Sequence, residues 1–126
     1  MLPKHNLICI VDDDRSMSRM LSRVITASAF EVVAFSSAEE FLESDAVVNC
    51  ACLILDLNLP GMSGMDLQQR LKDSGLEIPI IFVSGHADES TKQAVLAAGA
   101  AGFLSKPFKV NLLLDTVRAL PALVLS

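Results

Sequence analysis

The 126-residue sequence has few basic residues and few cysteines, and each shortage argues against a class of protein. Ten Lys and Arg against fifteen Asp and Glu give a formal net charge of −5. A domain with that balance has no general attraction for nucleic-acid phosphates, so we do not expect it to bind nucleic acid directly. The three cysteines, an odd number, argue against a disulfide framework.

Cys50 and Cys52 are expected on one face of a strand, which is a spacing that can suggest a metal site. No second Cys or His pair accompanies them, so buried packing thiols are favoured over a metal site.

Long apolar stretches are also missing, and no run is long enough to span a bilayer. Residues 1–6 contain no apolar stretch that ends in a small-residue cleavage site. Leu7–Val11 is too short for a signal peptide and continues directly into three aspartates. We therefore expect a cytoplasmic protein without a membrane partner.

What the sequence does contain fits one compact domain. Apolar residues make up 52%, enough to bury a core, and charged residues make up 20%, which is typical of folded proteins. The chain is too short for two ordinary domains, and no repeat, low-complexity segment or linker divides it. We therefore expect residues 1–126 to form a single domain.

Five short apolar runs alternate with amphipathic segments. The runs are Leu7–Val11, Val32–Phe35, Cys52–Leu55, Ile80–Val83 and Ala101–Leu104. Four of them are nearly continuous in apolar character, which is typical of parallel strands covered on both faces. The second run follows a glutamate and is predicted to be an edge strand.

The segments between the runs repeat apolar residues with the period of a helix. Ser37 and Glu40 predict a capping box at the start of the second helix. The fourth helix is expected to turn Ala94, Val95 and Ala98 inward, and Pro121 is expected to end the fifth. Five β–α units in a row predict an α/β domain with one parallel sheet, right-handed crossovers and helices on both faces.

Polar side chains follow four of the five runs, at the points where the strands are expected to end. They are Asp12, Asp13 and Asp14 after the first run, Asp56 after the third, Ser84 after the fourth and Lys106 after the fifth. Ligands of an open parallel sheet bind beyond the carboxyl ends of its strands. We therefore expect these side chains to form one site.

These residue types fit the transfer of a phosphoryl group to a carboxylate. Asp56 is the candidate nucleophile, since carboxylates form aspartyl phosphates. Mg²⁺ or Mn²⁺, held by Asp12 and Asp13, would reduce the repulsion between the two anions. Lys106 supplies a second cation, and the Ser84 hydroxyl can donate a hydrogen bond to a phosphoryl oxygen.

Each of these residues also has a simpler interpretation when taken alone. The acids at 12–14 can cap a helix, Asp56 can start a turn, and Lys106 can be a solvated turn residue. One cap needs only one acid, however, and three adjacent acids repel each other unless a cation is present. A shared site is favoured because the simpler interpretations require four independent accidents at one edge of the sheet.

Over residues 7–120 the chain resembles the receiver domains of two-component response regulators. The matching stretches are IVDDD (10–14), DLNLPGMSG (56–64), SGHA (84–87) and KPF (106–108). SGH and GFLSKPF (102–108) are similar to the subfamily typified by the nitrogen-fixation regulator, whose members often carry a helix-turn-helix output domain. The resemblance implies a flavodoxin-like (βα)5 fold with strand order 2-1-3-4-5.

The resemblance also implies a role for each matching residue. Asp56 would be the phosphoacceptor, and the metal would be held by Asp12, Asp13, Asp56 and the backbone carbonyl of Asn58. Ser84 would act in phosphoryl binding and switching.

Two further implications concern the last strand and the loop after it. Phe103 would form a switch pair with Ser84. Lys106 would contact the phosphoryl group, and the peptide bond between Lys106 and Pro107 would be cis.

The implied function is a phosphorylation-activated signalling switch. A sensor histidine kinase or phosphotransfer protein would donate the phosphoryl group, and the chain would catalyse only its own phosphorylation and dephosphorylation. The surface of the fourth helix, fifth strand and fifth helix would then change to control an output domain or partner. This surface is expected to support a phosphorylation-dependent homodimer or docking to a C-terminal output domain outside this chain.

Three other functions fit parts of the pattern. An aspartyl-phosphate phosphatase usually has a second aspartate two residues after the nucleophile, where this chain has Asn58. A flavodoxin-like cofactor binder needs a phosphate loop rich in Ser, Thr and Gly where this chain has three acids. A docking module that works without phosphorylation would not need the acids, Ser84 and Lys106, all of which are present.

Overall fold

The computed structural model describes residues 6–120 and contains one parallel sheet. Its strands are β1 (Leu7–Val11), β2 (Glu31–Phe35), β3 (Cys52–Asp56), β4 (Ile80–Ser84) and β5 (Gly102–Ser105). Their order is β2-β1-β3-β4-β5, and every neighbouring pair is parallel. The predicted strand order is therefore confirmed.

Strand burial follows from position in the sheet. Every residue of β1, β3 and β4 is buried, whereas β2, at the edge, has only exposed and half-buried residues. The prediction that the second run forms an edge strand is confirmed. The fifth strand lies one residue later than predicted because Ala101 bonds to Ile80 before the ladder begins, and Gly102 then pairs with Ile81.

Within residues 6–120, five α-helices and one short 3-10 helix follow the strands in turn. They are α1 (Arg15–Ala27), α2 (Ala38–Glu43), the 3-10 helix (Asp45–Val48), α3 (Gly64–Asp73), α4 (Glu89–Ala97) and α5 (Val110–Arg118). None of the helices within residues 6–120 is both long and apolar enough to cross a membrane. Pro121, predicted to end the fifth helix, lies outside the described residues.

The core consists of two clusters, one on each face of the sheet, because successive side chains of a strand point to opposite faces. In β1, Cys9 packs on the same face as α2, α3 and α4, whereas Ile8 and Ile10 pack on the face covered by α1 and α5. The predicted placement of helices on both faces is confirmed.

Cys50 and Cys52 pack on opposite faces of the sheet, so the expectation that they share one face is wrong. Cys52 begins β3 and packs on the α1 and α5 side, whereas Cys50 precedes the strand and packs with Cys9 on the other side. Burial raises the pKa of the Cys52 thiol to about 12. Cys52 therefore remains a neutral thiol within the core.

Helix α2 has only half of the predicted capping box. Ser37 Oγ accepts a hydrogen bond from the Glu40 N–H at 3.1 Å, but the Glu40 carboxylate accepts from the N–H of Ser36 rather than from that of Ser37. The complete capping box lies at the start of α3, where Ser63 and Asp66 each accept a hydrogen bond from the other's backbone N–H. Sequence analysis did not identify this second box.

Helix α4 buries less of its surface than predicted. Val95 is fully buried and Ala98 is half-buried, but Ala94 is exposed, so the prediction that these residues point inward is wrong for Ala94. The Val95 carbonyl also accepts a hydrogen bond at 3.1 Å from the buried amide of Gln68 in α3. Helix α4 is therefore attached to the domain through a narrow contact surface centred on Val95.

Candidate functional site

The strand register brings the predicted polar residues to one edge of the sheet. Asp12 directly follows β1, and Lys106 directly follows β5. Asp56 and Ser84 are the last residues of β3 and β4, not the first residues after them. All four lie at the carboxyl ends of parallel strands, where the sheet binds its ligands.

Three carboxylates form a cluster at this edge. Asp12, Asp13 and Asp56 each offer an oxygen, and these oxygens lie within 4.8 Å of one another. Asp12 and Asp56 are buried, at 2% and 6% exposure, whereas Asp13 is exposed. Close carboxylates repel each other when ionised, and oxygen donors of this kind suit Mg²⁺. The donor set therefore fits a hard divalent cation.

Asp14, the third acid of the run, has a different role. Its side chain caps α1 by accepting hydrogen bonds from the N–H groups of Ser16 at 3.0 Å and Met17 at 3.2 Å. The simpler helix-cap interpretation is therefore correct for this acid, whereas Asp12 and Asp13 belong to the carboxylate cluster.

Lys106 joins the two buried acids. Its Nζ lies 3.1 Å from Asp12 Oδ2 and 3.4 Å from Asp56 Oδ2. The backbone N–H of Lys106 donates to the Ser84 carbonyl at 2.8 Å, and the peptide bond between Lys106 and Pro107 is cis. The lysine charge therefore lies directly against the candidate acceptor.

Burial and the charges of the site shift the pKa values of Asp56 and Lys106. Burial raises the pKa of Asp56, and nearby Asp12 raises it further, against the opposing effects of the Asn58 N–H and of Lys106. Burial alone would lower the pKa of Lys106, but its hydrogen bonds and charge interactions with Asp12 and Asp56 outweigh this effect and raise it. The lysine is therefore firmly protonated.

Asn58 contacts both the acceptor and the Ser84 hydroxyl. Its backbone N–H donates to Asp56 Oδ1 at 3.0 Å, and its side-chain Nδ2 donates to Ser84 Oγ at 2.9 Å. The N–H of His86 donates to the same hydroxyl oxygen at 3.2 Å. Sequence analysis assigned Asn58 only a backbone carbonyl, because no local pattern indicates a side-chain contact across 26 residues.

The family model for the response regulator receiver domain matches residues 8–118. This chain belongs to the response regulator receiver family. The resemblance inferred from the sequence motifs is therefore confirmed, and so is the function predicted from it, a phosphorylation-activated signalling switch. The receiver family is a family of signalling switches rather than of classical enzymes.

Curated relatives are longer than this receiver domain. It is 42% identical to the response regulator protein TodT of Pseudomonas putida over 94% of this chain, and 44% identical to nodulation protein W of Bradyrhizobium diazoefficiens over 90%. The chain spans about half the length of these relatives, 52% and 50%. Among solved structures, the crystal structure of FixJ-N matches with a TM-score of 0.80 and 33% identity, over 94% of this chain and 93% of that one.

Phe103 of the receiver domain lies on the same face of the sheet as Ser84. It pairs in register with Phe82 of β4, and Ser84 is two residues further along that strand. The Phe103 ring is half-buried, and Lys92 Nζ of α4 lies 5.9 Å from its centroid. The two residues assigned to the switch pair thus lie on adjacent strands beneath α4.

Gly64 allows the start of α3 to approach the receiver site closely. A Cβ at this position would lie 2.7 Å from the Asp56 carbonyl oxygen, 3.0 Å from Leu57 Cα and 3.2 Å from the Phe82 ring. The Gly64 N–H also donates to the Leu57 carbonyl at 3.2 Å. The glycine therefore helps to set the position of the backbone that carries Asp56.

Proposed function

We propose that this receiver domain accepts a phosphoryl group on Asp56, from a sensor histidine kinase or a phosphotransfer protein. The observation that carries the proposal is the contact of the Lys106 ammonium with both Asp12 and Asp56 in a largely buried acid cluster. A cation held at that point stabilises the negative charge that develops on the phosphoryl oxygens during transfer.

The proposed chemistry is a displacement at phosphorus. A carboxylate oxygen of Asp56 forms the new O–P bond while the bond between phosphorus and the donor breaks. The Asn58 N–H holds Oδ1 of the carboxylate, and Lys106 lies against Oδ2, so the group is oriented before the donor arrives. Ser84 can donate its hydroxyl hydrogen to a phosphoryl oxygen once the acyl phosphate has formed.

Receiver domains bind Mg²⁺ at an acidic pocket, and the carboxylate cluster of this chain fits such an ion. We assign the ligands to Asp12, Asp13, Asp56 and the backbone carbonyl of Asn58, with Mg²⁺ or Mn²⁺ as the metal. When bound, the ion supplies positive charge that reduces the repulsion between the carboxylates and the phosphoryl oxygens.

The switch is expected to act through the surface made by α4, β5 and α5. Because the chain spans about half the length of its relatives, the partner on this surface is proposed to be an output domain or a second copy of the chain. We place this signalling in the cytoplasm, where the phosphodonor would meet the receiver. A phosphatase-type enzyme is not favoured, since its second acid is replaced by Asn58, whose amide is bonded to Ser84.

Labelling with acetyl phosphate tests the proposal. With Mg²⁺ present, intact-mass measurement should show one added phosphoryl group that is lost at alkaline pH, as expected for an acyl phosphate. Asp56→Asn should abolish the label because an amide is a poor nucleophile. Asp73→Asn is the matched control, since this exposed acid lies at the end of α3 and its side chain accepts a hydrogen bond from Gln69. Undiminished labelling of Asp56→Asn would overturn the assignment.

A further inference from the structure

The Asn58 side chain makes a contact that the proposed phosphoryl transfer does not itself require. Its Nδ2 donates to Ser84 Oγ at 2.9 Å, and the backbone N–H of His86 donates to the same oxygen at 3.2 Å. Ser84 is only 1% exposed, whereas Asn58 and His86 are exposed, so both donors approach a buried oxygen from the surface of the domain. A buried hydroxyl held by two donors has a restricted orientation.

The direction of that orientation follows from the chemistry of serine. A hydroxyl has two lone pairs that accept hydrogen bonds and one O–H that donates. Asn58 and His86 occupy the two lone pairs, and no hydrogen bond found within residues 6–120 has Ser84 Oγ as its donor. The O–H is therefore the part of the hydroxyl left to meet an incoming acceptor, and a phosphoryl oxygen is a strong acceptor.

We propose that Asn58 is a positioning residue that keeps the Ser84 hydroxyl oriented as a donor toward the phosphoryl group. The inference rests on the proposed phosphorylation of Asp56. It is supported by the second contact of Asn58, whose backbone N–H bonds to Asp56 Oδ1 at 3.0 Å. One residue therefore links the acceptor carboxylate directly to the hydroxyl that responds to phosphorylation.

The role requires a side chain that donates. Alanine at position 58 would leave a lone pair of Ser84 Oγ without its donor and allow the hydroxyl to rotate. Asn58→Ala keeps both backbone groups of the residue, including the carbonyl assigned to the metal, and its Mg²⁺ affinity is measured in parallel. Comparison at equal metal occupancy then assigns a change in the response of Ser84 to the lost amide.

The first test uses the protein without metal or phosphodonor. Asn58→Ala should increase the exchange rate of the His86 amide hydrogen, because the hydroxyl that accepts from it is no longer fixed. Asn49→Ala is the matched control, since its amide donates to the Asp45 carbonyl away from the site. Exchange at His86 that is equal in the wild type and Asn58→Ala would overturn the inference.

The second test measures affinity for beryllofluoride, a phosphoryl mimic, in the presence of Mg²⁺. Asn58→Ala should bind it about threefold to tenfold more weakly, which corresponds to one net hydrogen bond. Because Asn58 acts through Ser84, the double variant with Ser84→Ala should bind no more weakly than Ser84→Ala alone. Unchanged affinity in Asn58→Ala, or full additivity in the double variant, would overturn the inference.

The same experiment separates the two proposals. If the wild type fails to bind the mimic, or if Asp56→Asn binds it equally well, the phosphoacceptor assignment fails and this inference fails with it. If the wild type binds and Asp56→Asn does not, the phosphoacceptor assignment stands. If the effects of Asn58→Ala and Ser84→Ala on affinity for the mimic are then additive in the double variant, only the positioning role of Asn58 is refuted.

Discussion

Replacing Gly64 by alanine has two opposing effects on the stability of the fold, and their magnitudes can be compared. In the middle of a helix, alanine is favoured over glycine by about 0.5–1 kcal/mol, and the gain is smaller at Gly64, the first residue of α3. The added Cβ, however, would lie 2.7 Å from the Asp56 carbonyl oxygen and 3.0 Å from Leu57 Cα. Both atoms belong to the backbone and cannot rotate away, and overpacking of this kind costs about 1–3 kcal/mol. Gly64→Ala should therefore destabilise the fold by about 1–2 kcal/mol in net terms.

Urea denaturation measures this effect. The chain has no Trp or Tyr, so unfolding is best followed by far-ultraviolet circular dichroism. The midpoint should fall by about 0.5–1 M urea, given an m-value of about 2 kcal/mol/M. The matched control is Gly85→Ala, where an added Cβ has no atom within 4 Å. A Gly64→Ala protein as stable as the wild type would show that the backbone at Asp56 moves aside freely, which would refute the reasoning.

Three further predictions concern charge and packing. Because the pKa of Asp56 is raised above 3.8, the folded chain binds a proton there more tightly than the unfolded chain does. Without metal, stability should therefore fall as pH rises from that value through the raised pKa, and Asp56→Asn should flatten this slope in urea titrations. Lys106→Met should slow acetyl-phosphate labelling about a hundredfold, because it removes a preorganised positive charge from the phosphoryl oxygens. The control Lys72→Met should label at the wild-type rate. Gln68→Ala removes this donor from the Val95 carbonyl, which still accepts from the Ala100 N–H, and should cost about 0.5–1.5 kcal/mol, with faster amide exchange in α4.

Much of the fold could be predicted because apolar runs indicate strands directly. Leu7–Val11 was predicted with its exact bounds, since all five of its residues are buried. Which residues of a helix face the core was harder to predict. Ala94 and Val95 are both apolar, and only the packing of α4 determines that Val95 is buried and Ala94 is exposed. The capping box at Ser37 and Glu40 was half right, since the Glu40 carboxylate can reach either of two neighbouring N–H groups.

The candidate site was predictable as a set of residues but not as a network. Asp12 and Asp14 have the same side chain, and only the start of α1 determines which of them caps the helix. The bond from Asn58 to Ser84 joins a loop to the end of another strand, so it depends on the register of β3 with β4. No local sequence pattern contains that information.

The narrow attachment of α4 has a consequence for how receivers of this kind diversify. Five of its nine residues are exposed: Glu89, Ser90, Gln93, Ala94 and Ala97. Surface positions of this type tolerate substitution with little effect on stability. On the docking surface proposed above, mutation of these residues would change what α4 recognises while Val95 continues to hold the helix in place. Partner specificity and fold maintenance would then depend on different residues of one short helix, and new signalling connections could evolve without rebuilding the domain.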